Sequence, residues 1–164
     1  MNAMKAPVSS SFNTVFVYLL ATVFAFFFSV ANADMLGMTK QFSTITIDLK
    51  NKQLQVEYAD TWELRAQGLQ DRKSLCEQCG MLFNFGNSRQ VSMWMKDTYI
   101  PLDVAFINRD GIIVNIESMK PLDTTSIPSK GKVLYALEMN LGWFKANGIN
   151  VGDKMVLRVS NAAQ

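Results

Sequence analysis

Histidine is absent from all 164 residues. That removes the Ser-His-Asp and Cys-His nucleophilic arrangements, imidazole proton transfer and the ordinary zinc and haem ligand sets. Any acid–base work must fall to Asp, Glu, Lys or Tyr. Cysteine is scarce too: Cys76 and Cys79 are the only two. Without histidine they do not complete a four-ligand structural zinc site unless carboxylates join them. There is no block of basic residues. The 16 Lys+Arg and 14 Asp+Glu are interspersed, so the steady phosphate attraction of a nucleic-acid binder is missing and no such partner is expected. No stretch is rich enough in Pro, Gly or Ser to act as a linker, and no internal repeat occurs.

A long hydrophobic run is present at the N-terminus. Lys5 is the only charge before Asp34, and VFVYLLATVFAFFFSV, residues 15–30, is apolar apart from Thr22 and Ser29. Ala31-Asn32-Ala33 then offers small residues where a signal peptidase reads them. This is the pattern of a secretory signal peptide over residues 1–33, with cleavage near Ala33 and an extracytoplasmic (periplasmic or secreted) mature chain. A permanent anchor, which needs about 20 apolar residues, is the alternative, and only an uncut segment would bring a membrane into play. The remaining 131 residues, 34–164, fit one domain and are enough to bury a core.

Along that domain, FSTITIDL (42–49) and the run with Leu54, Val56 and Tyr58 alternate around Asn51-Lys52, the pattern of a hairpin. Asp60 is placed to cap a short helix through TWELRAQGL, with Glu63 reaching back and Gly68 ending it. Further strands are expected at 81–83, 91–95 and 102–107. Asn108-Arg109-Asp110-Gly111 predicts a hairpin turn to 112–117, with Ile112, Val114 and Ile116 on one face. Residues 120–131 read as a surface loop and 133–138 as a strand. Asn140 is placed to cap a helix over 141–147 that Gly148 ends. A last strand turns Met155, Leu157 and Val159 inward. The expected class is mainly β (β-rich α+β): a compact barrel-like or rolled antiparallel sheet with two short helices.

Three groups of residues carry candidate chemistry. Cys76-Glu77-Gln78-Cys79 is a C-x-x-C in a chain expected to be exported, and reads as a local disulfide. A thiol–disulfide active site is the functional alternative, but such pairs open a helix, whereas GMLFNF after Cys79 has strand character. Met93 and Met95, two apart on a strand, would share a face and offer soft thioethers to Cu(I), with Met81 and Trp94 nearby. The same methionines serve equally as core filler. Lys96, Asp97, Asp103 and Glu138 form the third group, with Lys96 and Trp94 on the face opposite the methionines and Glu138 at the end of a strand, near a rim. Paired carboxylates can perform glycosidic acid–base chemistry if their separation is right; otherwise they hydrogen-bond loops and pair with Lys96.

Gly80-Met81-Leu82-Phe83-x-Phe85, then Trp94-Met95-Lys96-Asp97-Thr98-x-Ile100-Pro101-Leu102-Asp103-x-x-Phe106, Gly111, Ala136-Leu137-Glu138-x-Asn140-x-Gly142 and Gly152-Asp153 follow in this order. With GLQDRKSL at 68–75, these segments resemble the domain-of-unknown-function 192 family across residues 40–160. The W-M-K-[ND]-T-x-I-P-L-D run is the specific part. The resemblance implies a compact β-rich fold, often exported, with no established reaction or cofactor. Asp97 stands where that motif often has Asn, adding a charge, and the cysteine pair is not obligatory in the family.

These residues together predict a small exported domain that binds through a cleft near Trp94–Asp103. Trp94 would stack on the ligand, and Lys96, Asp97, Asp103, Glu138 and Asn140 would line the site. The partner would be a small molecule, a sugar-containing envelope polymer or a protein, and no cofactor is called for. A metal-free hydrolase or lyase using Asp103 or Glu138, and a periplasmic Cu(I) or thiol-redox accessory protein built on Met93, Met95 and the cysteines, are the alternatives.

Overall fold

The computed structural model describes residues 41–158, so the expected signal peptide, its cleavage point and Val159 lie outside the described residues. Nine strands and two helices are described: β1 (Ser43–Leu49), β2 (Lys52–Ala59), α1 (Trp62–Gln67), β3 (Gly80–Arg89), β4 (Ser92–Met93), β5 (Leu102–Ile107), β6 (Ile113–Met119), β7 (Ile127–Pro128), β8 (Val133–Asn140), α2 (Trp143–Ala146) and β9 (Met155–Arg158). Seven form one strongly curled half-barrel sheet in the order β6-β5-β8-β3-β2-β1-β9, and β4 pairs with β7 beside it. A bridge between Ile112 and Lys154 brings the two edges together at one end. The mainly β class with two short helices is therefore the observed one.

All pairings in the large sheet are antiparallel except β2 with β3. A parallel neighbour requires a crossover, and residues 60–79, with α1 and the cysteine pair, supply it. This segment crosses one face of the sheet and builds part of the site described below.

The central strands are buried on both faces. Leu82, Ala105, Leu137 and Met139 join the cluster that includes Trp143 and Phe144 of α2. Met81, Phe83, Val104, Phe106 and Ala136 face the other way, into a second cluster with Leu69, Met95 and Ile100. Every residue of β5 is buried. A two-sided central strand reads as a continuous apolar run rather than an alternating one, which is why LDVAFI carries almost no polar residue.

Several local expectations are corrected. Thr61, not Asp60, caps α1, its hydroxyl accepting from Leu64 N at 3.2 Å. Asn140 does not cap α2; Gly142, at φ 81°, occupies that position, and the Asn140 amide donates instead to Cys76 O at 2.8 Å. The strand expected over 91–95 is only Ser92–Met93, because its partner β7 is itself two residues long within the expected loop. The face expected to hold Ile112, Val114 and Ile116 is broken by an irregularity where Phe106 faces Asn115 but Ile107 faces Ile113. One extra residue reverses the parity of the strand, so Ile113 and Ile116 pack on the first cluster and Val114 on the second.

Gly80 is fixed by close approach. A Cβ there would run into Met139 Sδ and the carbonyl oxygen of Glu138, and the latter, being backbone, cannot swing aside. Gly80→Ala should lower the stability of the domain by about 1–3 kcal/mol, measured as a shift in the urea midpoint at unchanged m-value.

Candidate functional site

α1, β3, the segment after β4 and one residue of β8 enclose a hollow of about 350 Å³. Its deep wall includes buried Phe83 and Glu138, and its mouth carries Trp62 and Trp94, 71% and 60% exposed. Arg65, Arg89 and Lys96 also line it, with Gln67, Gln70, Ser92 and Thr98 as neutral polar groups.

Each piece has a local cause. Gly68 closes α1 at a positive φ of 49°, donating its N–H to Leu64 O, and Leu69 and Gln70 follow it along the hollow. Trp62 and Arg65 are three apart on α1 and therefore neighbours on one helical face. Arg65 Nη1 is held by the carbonyls of Asp60 and Asn84 at 2.6 and 2.7 Å. Arg89 arrives through a bulge. Between Asn84 and Arg89 β3 leaves its register with β8, and Arg89 Nη1 then folds back to Phe85 O at 3.0 Å.

The Trp94–Thr98 wall rests on a knot of backbone hydrogen bonds. Met95 N donates to Asp123 O at 2.8 Å, Thr98 N to Met95 O at 3.2 Å, Leu122 N to Thr98 O at 3.0 Å and Asp71 N to Asp97 O at 2.8 Å. Asp71, Asp97 and Leu122 all have positive φ (62°, 53° and 62°). Asn and Asp tolerate that region best, which gives a physical reason for Asp or Asn at position 97. Left-handed leucine is less common, and Leu122 is also exposed. Such strain clusters where loops are held for a purpose.

Glu138 is the unusual residue. It lies on β8 between Met81 of β3 and Val104 of β5, both apolar, and is only 4% exposed. It is therefore not at a rim, as its place near a strand end suggested. Its carboxyl has no hydrogen-bond or ion-pair partner among the described residues, and no fully sealed side-chain oxygen or nitrogen there lacks one. The carboxyl oxygens therefore keep their contact with the hollow. Burial raises its pKa from 4.5 to about 8, since removal from water penalises the charged form. At neutral pH the group is an uncharged O–H donor at the bottom of a basic hollow.

The structure brings Trp94, Lys96 and Glu138 together and sends the other expected site residues elsewhere. Asp103 is buried at 5%, but its oxygens accept from Ser118 Oγ at 2.6 Å and Gly142 N at 2.7 Å, an architectural use. Because Val104 faces Glu138 across the ladder, the adjacent Asp103 projects from the opposite face, and the two carboxylates do not form a pair. Asp97 does not line the hollow; its carboxylate lies 3.8 Å from Lys96 Nζ on the surface. Asn140 holds the cysteine loop. Met93 lines the hollow, but Met95 is 1% exposed inside the second core cluster. Cys76 and Cys79 form a disulfide beside a different, open depression with Lys52–Gln55 and Gln78. Trp143 Nε1 donates to Gln78 Oε1 at 3.2 Å, so this small loop is tied to α2 as well as to Asn140. Methionine and cysteine thus do not meet at one site.

Trp62, Arg65 and Arg89 were missed in the sequence. The i, i+3 spacing of Trp62 and Arg65 within WELRAQ was the available signal, though an aromatic in a helix's first turn is usually core.

Fold and site together define a half-barrel β-domain with a basic, aromatic-flanked hollow above a buried acid. The chain belongs to the DUF192 family (Uncharacterized ACR), whose model matches residues 44–157. Two crystal structures are similar. One, of a proposed transcription regulator from Sinorhizobium meliloti 1021, has 38% identity and a TM-score of 0.69, covering 71% of this chain and 95% of the other. The second, a protein of unknown function from Novosphingobium aromaticivorans DSM 12444, has 30% identity and a TM-score of 0.67, covering 73% and 89%. No curated protein matches.

The raised pKa of Glu138 fixes the sign of a pH effect. Between about 4.5 and about 8 the unfolded chain is ionised at this group and the folded chain is not. Its contribution to stability is complete below 4.5, falls with a slope of up to about 1.4 kcal/mol per pH unit, and is gone above 8. Glu138→Gln should remove that slope in urea unfolding followed from pH 4 to 9. Equal slopes in both proteins would mean that the carboxyl is solvated.

Proposed function

We propose that this domain is an extracytoplasmic binding module that holds a sugar-containing segment of an envelope polymer in the hollow between Trp62 and Trp94. The observation that carries this reading is Glu138: an unpartnered buried carboxyl facing a cavity of about 350 Å³. A buried polar group without a partner is unfavourable by about 1–3 kcal/mol, and a ligand hydroxyl or ring oxygen accepting its O–H relieves that penalty. The flanking tryptophans offer flat apolar faces with polar edges, and Gln67, Gln70, Ser92 and Thr98 supply further donors and acceptors. The Cys76–Cys79 disulfide supports a compartment outside the reducing cytoplasm, in keeping with the signal-like residues 1–33.

A hydrolytic reading has one observation in its favour, because a carboxyl kept protonated at neutral pH is what a general acid requires. Glycoside cleavage also needs a second carboxylate, and among the described residues Glu138 is the only acid lining the hollow. Binding therefore accounts for the site better than cleavage. Nucleic acid is not part of the reading, since the cations gather at a hollow rather than along a strand or helix.

A neutral oligomer of N-acetylglucosamine is a direct probe. It should quench the exposed tryptophans of the wild-type domain in a saturable way. Trp62→Ala and Trp94→Ala should each weaken binding about tenfold or more by calorimetry, and circular dichroism should be unchanged because both rings are exposed. Saturable binding that survives both substitutions would place the sugar elsewhere and defeat the proposal.

A further inference from the structure

We propose that the hollow selects a ligand bearing an oxyanion, a carboxylate or a phosphate, seated among Arg65, Arg89 and Lys96 above Glu138. This inference rests on the reading of the hollow as a ligand site, and it specifies the chemistry of what enters.

Charge counting leads there first. Three cations among the described residues line the hollow, and the single carboxyl among those residues that does so is Glu138. Among the described residues Asp97 lies 3.8 Å from Lys96, on the surface side; a contact between groups this exposed contributes little and gives way to a better-placed anion. Fixed geometry is the second argument. The guanidinium of Arg65 is anchored by two backbone carbonyls. That of Arg89 is anchored by the Phe85 carbonyl and lies 5.5 Å over the Phe85 ring. Neither of these contacts neutralises the charge. Held this way, two planar forks need little ordering when they meet a carboxylate or phosphate, the groups their geometry fits.

The third argument is Glu138 itself. An ionised carboxylate there would repel an incoming oxyanion, but burial keeps the group protonated at neutral pH. Its O–H then donates to the anion, a charge-assisted bond stronger than one to a neutral oxygen. A cationic ligand meets the opposite situation: it would have to ionise Glu138 while passing three like charges. The charged groups lining the hollow are Arg65 from α1, Arg89 from β3, Lys96 from the turn after β4 and Glu138 from β8. Glu138 is the group among them whose titration burial displaces, so the pH response is assigned to it.

The test is calorimetric titration of the domain with four probes at low salt and pH 6.5: the neutral N-acetylglucosamine tetramer, a tetramer alternating N-acetylglucosamine with glucuronate, N-acetylglucosamine 6-phosphate and inorganic phosphate. A charged sugar should bind at least tenfold more tightly than the neutral one. The advantage should shrink with added salt, decline as pH rises through 8 in the wild type but not in Glu138→Gln, and vanish in Arg89→Gln/Lys96→Gln, where both residues are exposed and the fold should persist. Preference for the uronate or the phosphate sugar assigns the source of the anion. Equal binding of neutral and charged sugars overturns the oxyanion proposal and leaves the sugar reading standing. Saturable binding of inorganic phosphate, lost in the Arg89→Gln/Lys96→Gln variant, with no sugar bound, keeps the oxyanion proposal and removes the sugar reading. If no probe binds, both fall.

Discussion

The structure depends on the position of β8 between β3 and β5, with both of its faces covered. One face closes over α2 and the other beneath the 60–79 crossover and the 91–101 loops. Its middle residues, Ala136 to Met139, are all buried, and all but one of them are apolar. Glu138 is the exception. Met81 and Val104 flank it across the ladders, and its one access to polar surroundings is the hollow. The protonated acid follows from placing one carboxylate on a two-sided central strand.

The elements around it serve to keep that cavity open. The crossover that makes β2 and β3 parallel also carries α1, which Gly68 ends, and both line the hollow. The bulge of β3 swings Arg89 back to the hollow rather than along the ladder. On the other side, a turn with left-handed Asp97 is braced by residues 71, 122 and 123. Bracing of this kind holds exposed Trp94 away from the core while its neighbour Met95 anchors within it. The two conserve opposite tasks on adjacent residues: one ring outside, one thioether inside.

Asp103 and Glu138 illustrate how environment assigns roles to like side chains. Both are buried carboxylates on neighbouring strands. Asp103 accepts a serine hydroxyl and a backbone N–H and so fastens β5 to β6 and to the start of α2. Glu138 accepts nothing from the described residues and so remains available. The disulfide loop is likewise architectural in its contacts, being tied to Asn140 and Trp143 on a side of the molecule served by another depression.

The sequence by itself determined the β-rich class, the β1–β2 and β5–β6 hairpins, the glycine stops and the disulfide, because alternation, turn residues and a three-residue cysteine spacing are local signals. It also marked Trp94, Lys96 and Glu138 as chemistry-bearing. What it did not carry was which face each residue occupies once strands from distant segments pair. A single bulge inverted the face of Ile112–Ile116, and a one-residue difference in ladder position put Asp103 and Glu138 on opposite sides. Trp62, Arg65 and Arg89 join the site through a crossover and a bulge that no local pattern announces. Tertiary structure alone decided that Glu138 is buried and without a partner among the described residues, because desolvation depends on what covers a residue, and the cover here comes from distant segments, α1, β3, β5 and the chain around Trp94.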